Sequence, residues 1–259
     1  MDDAALAALE QLNNLAALGA VARAQPGGET GTIGGVVYVA SGLPIGLFNQ
    51  VQIVVADADP DDVARAVGRL RARGDRLLVY LRVGPDDHLQ AAASDLGLVA
   101  ATDERPLPGM ALAPITEISP PPTEHDIRRV RDAEGLADFI ALSAEGFGIP
   151  ADLAERIVGP AMLRDAAASP YVGYREGRPV AISLGYRNGP TIGVYSVSVL
   201  DSERRRGFGS AMTRQAIADG AAAGCTVATL QSSEMGESIY RAMGFRTVAR
   251  YRGFAEPPR

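Results

Sequence analysis

At 259 residues, 47% of them hydrophobic and 22% charged, the chain is globular in composition and long enough for two modest domains, each with its own core. Its formal charge of −6, carried without a single lysine, leaves no basic face for nucleic acid. Met1–Glu10 opens on two aspartates instead of a basic leader, and no apolar run approaches ~18 residues, so no membrane partner and a cytoplasmic location are expected.

In chain order, Ala4–Ala24 is rich in alanine and leucine and predicts a helix. Ile33–Ala40 and Val51–Ala56 read as strands, separated by Ser41–Gln50, which suits either an irregular loop beside a ligand or a plain turn. Asp61–Arg73 reads as a helix, with acids in its first turn and arginines in its last as the helix dipole favours. Leu77–Val83 predicts a strand, Asp86–Asp95 a helix, and Leu98–Thr102 and Met110–Ala113 strands. The proline run in 114–122 disfavours helix and reads as a stiff linker. The predicted division is therefore a domain at 1–113, the linker 114–122, and a domain at 123–259.

After the linker, Asp126–Arg131 predicts a strand, and Ala133–Glu145 and Ala151–Leu163 predict helices. Val172–Arg175, Val180–Arg187 and Ile192–Val199 follow as strands, with turn signals at Glu176-Gly177 and Asn188-Gly189. A helix from Gly207 to about Gly224, a strand at Thr226–Gln231, a short helix at 235–243 and a strand at Arg246–Phe254 complete the chain. Cys225, the one cysteine, excludes an internal disulfide and reads as a small core residue.

The chemistry gathers where strand 192–199 meets the next helix. A helix start leaves backbone N–H groups unpaired and carries roughly half a positive charge, which suits a phosphate. Gly207 and Gly209 remove side chains where the loop must curl around an anion, and Arg204, Arg205 and Arg206 add charge. The spacing fits neither G-x-G-x-x-G nor G-x-x-x-x-G-K-[ST]. Arg204-x-x-Gly207-x-Gly209 resembles instead the acetyl-CoA pyrophosphate loop of GNAT-type N-acetyltransferases, R/Q-x-x-G-x-G/A. A second motif follows about thirty residues on: Tyr240 lies five residues before Phe245 of the Gly244-Phe245 pair, as in that family.

The resemblance implies an α/β fold, here two GNAT-like domains with mixed, mostly antiparallel sheets flanked by helices. It implies acetyl-CoA as co-substrate, held by Val197, Ser198, Val199, Arg204, Arg205, Arg206, Gly207, Phe208, Gly209, Ser210, Ser233 and Tyr240. The backbone N–H groups of Val197 and Val199 would polarise the thioester carbonyl, and Tyr240 would protonate the leaving thiolate as general acid. Ser233 stands where many members carry a cofactor-contacting asparagine, a departure with shorter reach. Glu145, Glu234 and Glu237 are the candidate bases. With only His88 and His125 and no Cys/His cluster, no metal is expected.

The halves can be laid over one another, Val51–Ala56 on Val194–Val199 and Leu77–Tyr80 on Val227–Leu230. The first copy has Ala58–Val63, with three aspartates and no glycine, in place of Arg204–Gly209, and Ala93 in place of Tyr240. It is thus expected to be degenerate, with one acetyl-CoA per chain and a monomeric pseudo-dimer in solution. The expected activity is direct acetyl transfer to a small-molecule or peptide primary amine. The alternative is a non-catalytic acyl-CoA-binding or regulatory protein on the same fold.

Overall fold

The computed structural model describes residues 1–101, 105–115, 118–119, 121–122 and 124–257. It is a mixed α/β structure, mostly antiparallel in its strands and flanked by helices. Two compact units are present: Met1–Asn14 clusters with Met110–Val248, and Leu15–Gly109 with the residues from Ala249 onward. From the N-terminus the elements are α1 (Asp3–Arg23), β1 (Glu29–Ile33), β2 (Val36–Ala40), β3 (Asn49–Ile53), α2 (Pro60–Ala72), β4 (Leu78–Arg82), α3 (Gln90–Asp95), β5 (Val99–Ala100) and β6 (Leu107–Leu112). They continue with β7 (Asp126–Arg129), α4 (Ala133–Phe147), α5 (Ala151–Val158), α6 (Pro160–Arg164), β8 (Ala168–Arg175), β9 (Arg178–Asn188) and β10 (Thr191–Val199). The last four are α7 (Phe208–Ala222), β11 (Val227–Gln231), α8 (Glu234–Ala242) and β12 (Arg246–Ala255).

In the unit built on Leu15–Gly109, β1, β2 and β3 pair antiparallel, β3 and β4 pair parallel, and Tyr251–Ala255 of β12 closes antiparallel on β4. Val51, Ile53, Val63, Val67, Leu70 and Val79 form its core. The single strand expected over 33–40 is two strands, because the chain turns at Gly34-Gly35. Gly34 has φ +53°, and a Cβ there would meet an Asp62 carboxylate oxygen at 1.8 Å. The helix expected from Asp86 forms only from Gln90, after a single tight turn. Asp86 is fully buried and accepts both the backbone N–H and the guanidinium of Arg82, which holds that turn. Thr102, at the end of the expected strand 98–102, lies outside the described residues.

In the unit built on Met110–Val248, β7, β8, β9 and β10 pair antiparallel in sequence, and β11 joins β10 in parallel. The apolar positions of α7 recur every three or four residues. Phe208, Met212, Ala216 and Ile217 are buried against Val180, Ile192 and Val194. Each large side chain so buried contributes about 1.5–3 kcal/mol. The helix expected over 151–163 is broken into α5 and α6 at Gly159-Pro160, where proline lacks the N–H a continuous helix requires. Ile115, in the segment expected as a linker, is buried in this core, and its N–H donates to Thr226 O at 3.2 Å. Pro120 of the same segment lies outside the described residues.

Candidate active site

β10 carries an irregularity that decides what its backbone can do. Tyr195 opposes Leu184 and Ser198 opposes Ile182, so Ser196 and Val197 together face Ser183 alone. This is a β-bulge, and Ser196 takes φ +51° within it. The parallel pairing with β11 covers Thr191–Gly193 against Val227–Thr229 and ends there, so the two strands part just before the bulge. Leu200 N–H donates to Val180 O at 3.0 Å. Successive N–H groups along a regular strand point to opposite sides, so that of Val199, one residue before Leu200 and beyond the bulge, points away from β9, to the side where β11 has parted. Ser198 has its side chain against α4, since a Cβ on Gly146 would meet its Oγ at 2.1 Å. The end of α4 that carries Glu145 therefore lies beside the splayed strand.

The loop that follows leads straight into α7. Arg205 has φ +62° and Gly207 φ +84°, a left-handed pair that costs a non-glycine residue about 1 kcal/mol or more. Gly207 is the N-cap; no side chain caps this helix, and no acid lies in its first turn. Its first backbone bond runs from Ala211 N–H to Gly207 O at 2.9 Å, which leaves the N–H groups of Phe208, Gly209 and Ser210 ahead of the helical ladder. Around Gly209 the space is open: an added Cβ would have only Val199 Cγ2 near it, at 4.0 Å. Arg204 pairs with exposed Asp201 at 2.7 Å, and Arg206 with buried Glu203 at 3.2 Å. Arg205 has no ion pair among the described residues. A helix start with no acid in its first turn, preceded in the chain by Arg204, Arg205 and Arg206, suits an anion.

The corresponding start of α2 is built the opposite way. Asp59 caps it by accepting from Asp61 N–H at 2.9 Å, Pro60 follows, and Asp62 accepts from Gly35 N–H at 3.0 Å while pairing with Arg65. The Gly35 N–H bond holds the Asp62 carboxyl below its usual range. This helix start has filled its own anion seat.

Tyr240 projects from α8 into the core below α7, edge-on to Phe245 with ring centroids 5.9 Å apart. Burial raises its pKa above 10, and the hydroxyl of Thr213 on α7 pulls the other way. Gly236 makes room for the ring, since a Cβ there would lie 3.1 Å from Tyr240 Cε2. Ser233 is the N-cap of α8, its hydroxyl accepting from Gly236 N–H at 3.3 Å. Glu237 pairs with Arg241, and Glu145 is exposed at the end of α4.

Sequence reading missed four supports of this site. His125 brings its Nε2 to 3.0 Å from Arg206 O and stacks edge-on against Phe208 at 4.7 Å. Glu203, Arg175 and Asn13 also reach the loop or the strand from a distance in the chain. Glu203 directly precedes the motif, and nothing in the spacing of the others marks them. Among the described residues no group of His, Cys, Asp and Glu is arranged to hold a metal ion, and no helix is long and apolar enough to cross a membrane.

The site thus joins a bulged strand that parts from its parallel neighbour to an open helix start. Residues 132–245 match the profile of the acetyltransferase (GNAT) family. Solved structures share the fold over nearly the whole chain. A GCN5-related N-acetyltransferase from Kribbella flavida has a TM-score of 0.71 at 21% identity, covering 96% of each chain. A conserved protein of unknown function from Staphylococcus epidermidis gives 0.66 at 14% identity, covering 88% of this chain and 93% of its own. A tandem GNAT protein from the clavulanic acid biosynthesis pathway gives 0.59 at 12% identity, over 86% and 79%. Among curated proteins none matches.

Proposed function

We propose that residues 123–259 form an acetyl-CoA-dependent N-acetyltransferase domain that passes the acetyl group directly to a primary amine. The observation that carries this reading is the conjunction of two backbone features: β10 parts from β11 just before its bulge, with the Val199 N–H turned away from β9, and α7 begins shortly after without an acid in its first turn. Gly207–Ser210, with Arg204–Arg206, would hold the pyrophosphate. Val197 and Val199 N–H groups would hold the pantetheine arm and the thioester carbonyl. Loss of one such donor typically costs about 3 kcal/mol in the transition state.

In the reaction the amine nitrogen forms a bond to the carbonyl carbon, the C–S bond breaks, and the thiolate takes a proton. Tyr240 supplies that proton; burial keeps its hydroxyl protonated at neutral pH. The ammonium form of the acceptor loses its proton to water or to a carboxylate, of which Glu145 is placed beside Ser198's strand. Transfer is direct because the buried Cys225, its thiol pushed up by burial, is no activated nucleophile. The α2 start, closed by Asp59 and Asp62, takes no second cofactor, and we assign a monomer with one acetyl-CoA per chain.

A thiol-release assay with acetyl-CoA against a panel of primary amines tests this reading. Amine-dependent release of CoA supports it. Tight CoA binding with no acceptor across the panel would favour a non-catalytic acyl-CoA-binding protein instead.

A further inference from the structure

We infer that Asn13, on α1, is a positioning residue for the acyl-transfer strand, acting through Tyr195 on the bulge at Ser196–Val197. Asn13 is fully buried in a helix face that also buries Leu6, where an apolar residue would be cheaper. All of its polar capacity is directed at the β9–β10 hairpin. Its Oδ1 accepts from Tyr195 Oη at 2.6 Å, and its Nδ2 donates to Thr191 Oγ1 at 2.7 Å and to Tyr186 O at 3.1 Å. Thr191 Oγ1 passes its own proton to Asn188 O at 2.6 Å, so the network is closed. The approach is close enough to dictate a residue on the strand: a Cβ on Gly193 would lie 2.0 Å from Asn13 Oδ1.

The position of the anchor gives it a role beyond packing. Tyr195 is the last residue of β10 in register before the extra residue, and Ser198 opposite Ile182 is the first after it. If the extra residue is absorbed into the ladder, the strand beyond it shifts register by one residue and every N–H there turns to the other side. Tyr195, tied to Asn13, fixes the near end, and the pairing of Ser198 with Ile182 fixes the far end. With both ends held, the N–H groups of the bulge and of Val199 beyond it keep their directions. This inference rests on the proposed reading that those N–H groups face the thioester carbonyl.

The test is isotope-edited infrared spectroscopy of acetyl-CoA labelled at its carbonyl carbon, bound to the full chain as wild type, Tyr195→Phe, Asn13→Ala and the double variant. The wild type is expected to lower the carbonyl stretch relative to free acetyl-CoA. Each single variant should lose at least about half of that displacement, and the double variant no more than either, while CoA affinity stays within about threefold. Variants that keep the full displacement, or that lose it only in proportion to lost CoA binding, would overturn the role of Asn13. Tyr195→Phe keeps the ring in place and decides alone if Asn13→Ala does not fold. A wild type that shows no displacement at all strikes the proposed reading of Val197 and Val199 itself, and the inference with it.

Discussion

Arg206 Nε lies 3.2 Å from Glu203 Oε2, the same oxygen that takes Arg175 Nη1 at 2.7 Å. One buried carboxylate therefore ties the last arginine of the loop to strand β8 and leaves that guanidinium beside the start of α7. Glu203→Gln keeps the shape and removes the charge. We expect CoA binding to weaken about fivefold to tenfold, since a charge-assisted pair orders the arginine that a phosphate would use. Titration calorimetry with CoA checks this, and unchanged affinity would leave Glu203 with a packing role alone.

The same group predicts a pH dependence. The hydrogen bond from Arg175 is the main cause that holds the Glu203 carboxyl below its ordinary value of 4.5. A carboxyl depressed on folding stabilises the native state above its unfolded pKa, and that contribution is lost as pH falls through the folded value. Urea unfolding should show wild type more stable than Glu203→Gln by a constant margin above about pH 5, shrinking to nothing in acid. A margin that persists in acid would refute the ion-pair account.

Gly207 sits at φ +84°, with His125 ring atoms 3.4 Å from where a Cβ would stand. Gly207→Ala should cost about 1–2 kcal/mol of stability from backbone strain. It should weaken CoA binding as well, because the first N–H groups of α7 would re-aim. Thermal unfolding and CoA titration measure the two effects separately.

Tyr240→Phe retains the contact with Phe245 and removes only the hydroxyl. If the hydroxyl protonates the leaving thiolate, kcat should fall roughly 10²-fold or more with the KM for acetyl-CoA little changed. Burial raises the Tyr240 pKa, so its ionisation should not limit kcat until pH exceeds about 10. An alkaline limb that begins lower and vanishes in Tyr240→Phe would contradict this.

Asp59→Ala removes the N-cap of α2, whose carboxylate accepts from Asp61 N–H. The expected loss is about 1 kcal/mol of stability with CoA affinity unchanged, since the proposed function puts no cofactor at this helix start. Reduced CoA binding in this variant would reopen the first copy as a site.

Most of the fold was legible because the elements follow local rules. α2, β9, β10 and α7 begin and end within about two residues of the periodic and turn signals that predict them. The misplaced elements turn on particular side chains and not on periodicity, as at Gly159-Pro160, where proline splits the helix expected over 151–163. The β1–β2 turn depends on Asp62 occupying the space beside Gly34, and the turn before α3 on the Arg82–Asp86 pair. The loop Ser41–Gln50 is a compact turn organised by buried Asn49. That side chain accepts from Ser41 and Gly42 and donates to Leu43, Ile45 and Arg76 carbonyls. At the site, glycine spacing and arginine charge marked the α7 start. The bulge at Ser196–Val197 left no trace in composition, and Asn13, like His125, acts across a separation no spacing rule encodes.

The central claim is that the start of α7 is an anion seat, and Gly209→Asp tests it most directly. The open space at Gly209 admits the side chain, and a carboxylate in the first turn of a helix favours folding by about 0.3–1 kcal/mol. The same charge opposes a pyrophosphate. Calorimetric titration with CoA should give one site per chain in the wild type and none in Gly209→Asp, with the variant folded and no less stable. Two sites per chain, or a Gly209→Asp variant that binds CoA as the wild type does, would contradict the account.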